Sequence, residues 1–358
     1  MSKRLYLFTL LPLLPHPTMH ALSVFYVCVF YAVILMCLLG VIYSRKAKLT
    51  LFDTALFLCL FLLALPSIVF NTKVFVLQYV LVVVSLYFIV GSGIAINYSN
   101  KHVFLYVVMP YFISMLLFTL AEPPSRYAIL NGDPNYTAII YFTMFFAINE
   151  LTKSRVLLFL SFVGIFFVLY MTGSRMLLLI LLIYSGYFFL PRIRKVFSSK
   201  KTTVFFLISS ALAQPVMSYY MDDLFSILTF NEETSRYARF SDSSNRARLN
   251  AIESSIDFVI ESDDVMWVGT HDYMRQNTDA EYIPHHWFML ISVSYGFYFS
   301  CVFLLSLLVL IFKTNSVERF FMSLMFLAAG ILGAFPIAIC LPSFLILKSN
   351  IEGLHYDQ

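Results

Sequence analysis

Four groups of residues in this 358-residue chain combine types and spacings that suit work on phosphate esters and protons. In Met171-Thr172-Gly173-Ser174-Arg175-Met176 one arginine stands between two apolar runs, with no length for a loop. A charge bordering hydrocarbon is costly, so Arg175 reads either as a fixed cation for a phosphate or diphosphate headgroup or as a snorkelling interfacial arginine. The planar guanidinium fork suits phosphate oxygens, and Gly173 permits close backbone approach. A second group is Pro284-His285-His286-Trp287-Phe288, followed by Tyr295-Gly296. Either imidazole can accept a proton from a sugar hydroxyl near neutral pH, and the alternative is a structural pair beside an interfacial tryptophan. Adjacent histidines on a helix diverge by about 100°, and no Cys/His spacing completes a ligand set, so no metal is expected.

The third group is Arg236, Arg239, Arg246 and Arg248, in a stretch otherwise rich in acids and serine. Several guanidiniums can neutralise a diphosphate without a metal. Arg246 and Arg248 are favoured because they lead into an apolar-striped run; bland solvated arginines are the alternative. The fourth is Asn131-Gly132-Asp133-Pro134-Asn135-Tyr136, a strong turn signal before a helix. Asp133 and Asn135 read as sugar-binding or simply structural. The chain has no Walker A loop, no Gly-x-Gly-x-x-Gly after a strand and no cytoplasmic Asp-x-Asp cluster. Nucleotide chemistry inside the cell is therefore unsupported, no nucleic-acid partner or cofactor is expected, and any donor must arrive already activated on a lipid.

The elements that must position these groups follow from composition. The chain is 60% hydrophobic and 12% charged, with 38 Phe and 23 Tyr, against roughly 25% charged residues in soluble domains. Its apolar runs are continuous rather than alternating, which selects an all-α polytopic membrane protein over a barrel. Candidate spans lie near 5–14, 21–43, 51–70, 74–97, 103–120, 136–149, 156–170, 176–190, 203–219, 287–311 and 320–347. The last is long enough for two helices around Pro336 and Pro342, giving eleven or twelve in all. The opening run reads as a retained span rather than a cleaved leader, because Pro15-His16-Pro17 interrupts it and no small-residue cleavage site follows. Five cysteines inside apolar runs, without CxxC spacing, indicate neither a disulfide framework nor zinc.

Orientation follows from lysine and arginine placement. With the N-terminus inside, the inner segments hold most of the basic residues, including the dense group Arg192, Arg194, Lys195, Lys200 and Lys201. Residues 1–219 then form the first nine spans, 220–284 an outer segment, and 285–358 the C-terminal spans. The outer segment carries thirteen acids against five arginines and no lysine. Within it, Arg246 to Glu261 sets Leu249, Ile252, Ile256 and Ile260 on one face, behind Ser243 or Ser244 as N-cap, and predicts an amphipathic helix over the membrane mouth.

Taken in order, the Asp-Pro-Asn turn, Gly-Ser-Arg at 173–175, Ser-Asn-Arg at 244–246, Val268-Gly269-Thr270, His285-His286-Trp287-Phe288 and Tyr295-Gly296 resemble the bacterial O-antigen polymerase and O-antigen ligase superfamily over roughly residues 130–310. The resemblance implies a GT-C-like fold in the bacterial inner membrane, with a long periplasmic loop. It also implies metal-independent glycosyl transfer from an undecaprenyl-diphosphate-linked oligosaccharide. On it, Arg175 and Arg246 are assigned to the diphosphate, and His285 matches the motif histidine better than His286. The acceptor is a lipid-linked repeat unit in a polymerase and the lipid A core in a ligase; a chain-length regulator is a further expected partner. Some ligase-like loops place Trp soon after the first loop arginine, whereas Arg248-Leu249-Asn250-Ala251 has none, which tilts the reading towards polymerase. A lipid-linked oligosaccharide flippase is the competing class, and it predicts charges buried mid-span along a central path. This chain keeps nearly all its charge at span ends, Asp53 being the nearest exception.

Overall fold

An apolar run in lipid must satisfy its backbone internally, and the computed structural model is helical throughout its described residues apart from one short strand pair. Those residues are 49–71, 76–92, 96–98, 100–120, 134–152, 154–228, 243–269, 286–332 and 349–351. The runs expected to span at 5–14 and 21–43 lie outside them, as do His285, Asp133, Arg236 and Arg239.

Helices α1 (Leu51–Asn71) and α2 (Val76–Ser92) lead to a three-residue strand, β1 (Ile96–Tyr98). Next come α3 (Asn100–Val103), a π-helical turn at Phe104–Val108, and α4 (Met109–Leu120). A central series follows: α5 (Pro134–Leu151), α6 (Arg155–Thr172), α7 (Arg175–Phe189), the short α8 (Pro191–Phe197) and the long α9 (Lys200–Leu228). Helices α10 (Ser243–Glu261) and α11 (Asp263–Trp267) precede α12 (Trp287–Tyr295), α13 (Phe297–Lys313), α14 (Ser316–Leu332) and β2 (Ser349–Ile351). Among the described residues, Leu51–Phe70 and Arg155–Thr172 are each long and apolar enough to cross a membrane. The pair α7 and α8, bent by 116°, makes a third, and Val76–Gly91, Thr137–Leu151 and Phe297–Lys313 are shorter apolar helices. The chain is a helical membrane protein.

Two differences from the sequence reading bear on the site. The run expected as one span at 287–311 is broken at Gly296, whose φ of 105° no helix accommodates. Helix α9 runs past the expected end of its apolar run at 219, because no proline or glycine after Pro215 stops it before Leu228.

Helix α13 packs against α1 and α2, and α9 against α14. Along the first contact, Tyr79 meets Tyr295 and Phe303, and the Tyr87 hydroxyl donates to the Ser306 carbonyl at 2.8 Å. At the far end of α13, Lys313 Nζ lies 2.6 Å from Asp53 Oδ2 and over the Tyr87 ring. Thr50 and Asp53 cap α1 reciprocally, and Asn315 and Glu318 do the same for α14. Arg319 donates to the Ser198 and Thr314 carbonyls, and Ser323 bonds Thr203 and the Phe197 carbonyl. The start of α1, the end of α13, the start of α14, α8 and the start of α9 thus share one end of the bundle. It gathers Arg192, Arg194, Lys195, Lys200, Lys201, Lys313 and Arg319, all expected on the inner side from their sequence positions.

Strands β1 and β2 pair in parallel, Ile96 opposite Ser349. β1 follows α2 at this same basic end, so the chain leaves that end at Ser316 and is back there at Ser349.

Candidate functional site

The Gly173–Arg175 corner is built from two helix terminators set back to back. Gly173, at φ 57°, closes α6 in the left-handed conformation, its N–H reaching the Leu169 carbonyl at 3.0 Å. Ser174 follows at once as N-cap of α7, its hydroxyl accepting from Leu177 N at 3.3 Å. Arg175 is therefore the first residue of α7. It is exposed and shares a stripe with the exposed Leu178, Leu179 and Leu182, while Met176, Leu177, Ile180 and Leu181 face the bundle. Among the described residues no carboxylate lies within ion-pair distance of it. A guanidinium on an exposed apolar stripe at a helix N-terminus stands where the helix dipole and its own N–H fork both favour an anion.

His286 is placed differently. It is fully buried and is the N-cap of α12, in extended backbone conformation. Its Nδ1 accepts from Met289 N at 3.4 Å, and its Nε2 lies 3.0 Å from the Ser210 carbonyl on α9. A carbonyl can only accept, so Nε2 carries the proton, and the ring is the neutral tautomer with both nitrogens engaged by backbone.

The two residues lie at one level. Tyr187 of α7 stacks on Phe320 of α14, with ring centroids 3.9 Å apart. From there α7 climbs to Arg175 by about 18 Å at 1.5 Å per residue. Along α14 the climb from Phe320 to Gly330, which abuts Ser210, is about 15 Å. Arg175 and the anchor of His286 therefore stand at similar height above the basic end, on helices that both flank α14. No hydrogen bond joins them.

Helix α10 completes this end by packing on α9 and α12. Ala251, Ile252, Ser255 and Val259 form its buried face, while Ile260, expected there, is exposed. The apolar stripe has drifted one position by the fourth turn, as a period of 3.6 requires. Positions 246 and 248 stand in the first turns of this helix, which is seated on α12. Asn135 lies in the first turn of α5, next to Pro134 at its start, where a missing N–H costs nothing.

A feature that sequence reasoning noted without assigning it a role is the pair Gly269 and Gly296. A Cβ on Gly269 would stand 2.4 Å from Tyr295 N and 2.6 Å from Gly296 N; one on Gly296 would stand 2.7 Å from the Trp267 carbonyl oxygen. Both have positive φ. The chain leaving α11 therefore crosses, backbone on backbone, over the break between α12 and α13. Beside the crossing Trp267 packs on Tyr298 with ring centroids 4.5 Å apart. Two glycines with turn-forming neighbours were the visible signal; their pairing was not.

No curated protein and no solved structure matches the chain. A protein-family model described as O-Antigen ligase (Wzy_C) matches residues 159–298, a stretch holding the Gly173–Arg175 corner, α10, the glycine crossing and His286. Over that stretch, which is under half of its length, the chain is similar to the O-antigen ligase family model, in line with the resemblance carried by its motifs.

Proposed function

We propose that the protein is an inner-membrane glycosyltransferase that moves a glycan from undecaprenyl diphosphate to an acceptor sugar at the periplasmic face, as a polymerase of lipid-linked repeat units. The observation that carries this reading is the shared level of the histidine-headed α12 and an exposed Arg175 that has no carboxylate within ion-pair distance among the described residues, far from the basic end. In the reaction an acceptor hydroxyl attacks the anomeric carbon, the bond from that carbon to the phosphate oxygen breaks, and the diphosphate lipid departs with the electron pair. Arg175, with Arg246 or Arg248, stabilises the charge growing on the diphosphate. A histidine of the 285–286 pair takes the hydroxyl proton. Asp133 and Asn135 border the sugar, no metal is needed, and a chain-length regulator is a fitting partner.

Ligation to the lipid A core is the second reading, favoured by the printed description of the matching family. The absence of Trp in Arg248-Leu249-Asn250-Ala251 favours polymerisation. Gel analysis of surface polysaccharide after gene deletion separates them. Single-repeat material capped on core indicates a polymerase, and bare core with accumulated lipid-linked chains a ligase; an unchanged pattern refutes both. Complementation with Arg175→Ala, inserted at normal level, is expected to lose about 10²–10³-fold of transfer. Normal laddering would remove Arg175 from the mechanism.

A further inference from the structure

We infer that His286 is a positioning residue, a bolt that fixes α12 to α9, and takes no proton from the acceptor. The inference rests on the glycosyltransferase reading and removes this imidazole from its proton transfer.

The geometry of His286 leaves it nothing to offer a substrate. A general base must present an unprotonated nitrogen within about 3.2 Å of the hydroxyl it serves. The only unprotonated nitrogen of His286 is Nδ1, and that faces Met289 N inside the first turn of α12. Its other nitrogen is committed to Ser210, and no part of the residue is exposed. Freeing the ring would uncap α12 and break its side-chain hydrogen bond to α9, two costs that a proton shuttle would incur on every turnover.

The same contacts suit a bolt. Ser210 lies mid-way along α9, against Gly330 of α14, so the imidazole ties the start of α12 to the most extensive helix pair in the described bundle. The other end of α12 is held by the Gly269–Gly296 crossing. Helix α10, which carries Arg246 and Arg248, packs on the segment fixed between these two points. His286 thereby sets the place of α12 and of the helix α10 packed on it.

Amide substitutions separate positioning from proton transfer, because neither amide takes up a proton at neutral pH. Asn at 286 reproduces the cap acceptor at the Nδ1 position, and Gln reproduces the donor at the Nε2 position. In a deletion strain, His286→Ala is expected to reduce polysaccharide laddering about tenfold or more and to lower the melting temperature of the solubilised protein by several degrees. His286→Asn or His286→Gln should return laddering to within about threefold of wild type and recover most of the melting temperature. The inference is overturned if both amides at 286 melt like wild type yet are inactive. Should gene deletion leave the polysaccharide unchanged, the glycosyltransferase reading falls. The order of melting temperatures then still decides the bolt: Ala below the amides supports it, and no difference refutes it.

Discussion

At the basic end of the bundle, helices are joined by side chains: the Asp53–Lys313 pair, reciprocal caps at α1 and α14, and the hydroxyl cluster of Thr203 and Ser323. Among the described residues the opposite end is joined through main-chain atoms, by close backbone contacts and by one imidazole bonded to a carbonyl. There Gly173 turns α6 into α7, Gly269 and Gly296 let two chain segments cross, and one buried imidazole grips a carbonyl. Polar side chains used as fasteners are lost to substrate, whereas at the glycine-built end Arg175 is exposed, with no carboxylate within ion-pair distance among the described residues.

This contrast is sharpest at glycine. Gly269→Ala puts a methyl group against backbone atoms that cannot move aside, at a positive φ, and should cost about 3 kcal/mol or more. At the basic end a Cβ on Gly186 meets only the Cδ1 tip of Ile193 at 2.7 Å, a flexible side chain, so Gly186→Ala should cost under about 0.5 kcal/mol. Thermal melts of the two solubilised variants check this, and equal losses would erase the distinction between the ends. An effect between those two is expected from Asp53→Asn. Removing one partner of a buried pair can cost 3–5 kcal/mol, but Lys313 keeps 28% of its side chain exposed and can turn to water, so about 1–2 kcal/mol is expected. Activity should fall only with the amount of folded protein. Below Asp53→Asn, and above Gly186→Ala, Ser323→Ala removes one hydroxyl shared between α9, α14 and the Phe197 carbonyl, worth about 1 kcal/mol by the same melts.

Much of the helix layout was legible in the sequence. The runs read at 51–70, 156–170 and 176–190 are α1, α6 and α7 within a residue or two, and the amphipathic helix read from Arg246 begins at Ser243. These rest on local signals: apolar length, Gly-Ser punctuation and a repeating stripe. The break at Gly296 was not legible, because one glycine in an apolar run does not end a helix; the Trp267 backbone pressed against it does. Nor was the fixing of His286, whose partner is a main-chain oxygen 76 residues away that any residue type would supply. Of the candidate site, Arg175 could be read because its isolation is written in its neighbours, while the division of labour between adjacent histidines depends on a helix packed from elsewhere.

The small parallel pairing of Ile96–Tyr98 with Ser349–Ile351 carries a rule of parity. A chain that sets out from one face of a bilayer and comes back to it has traversed the lipid an even number of times. A reporter inserted after Ile351 should therefore share the aqueous compartment of the Arg192–Lys195 turn, whichever compartment that is.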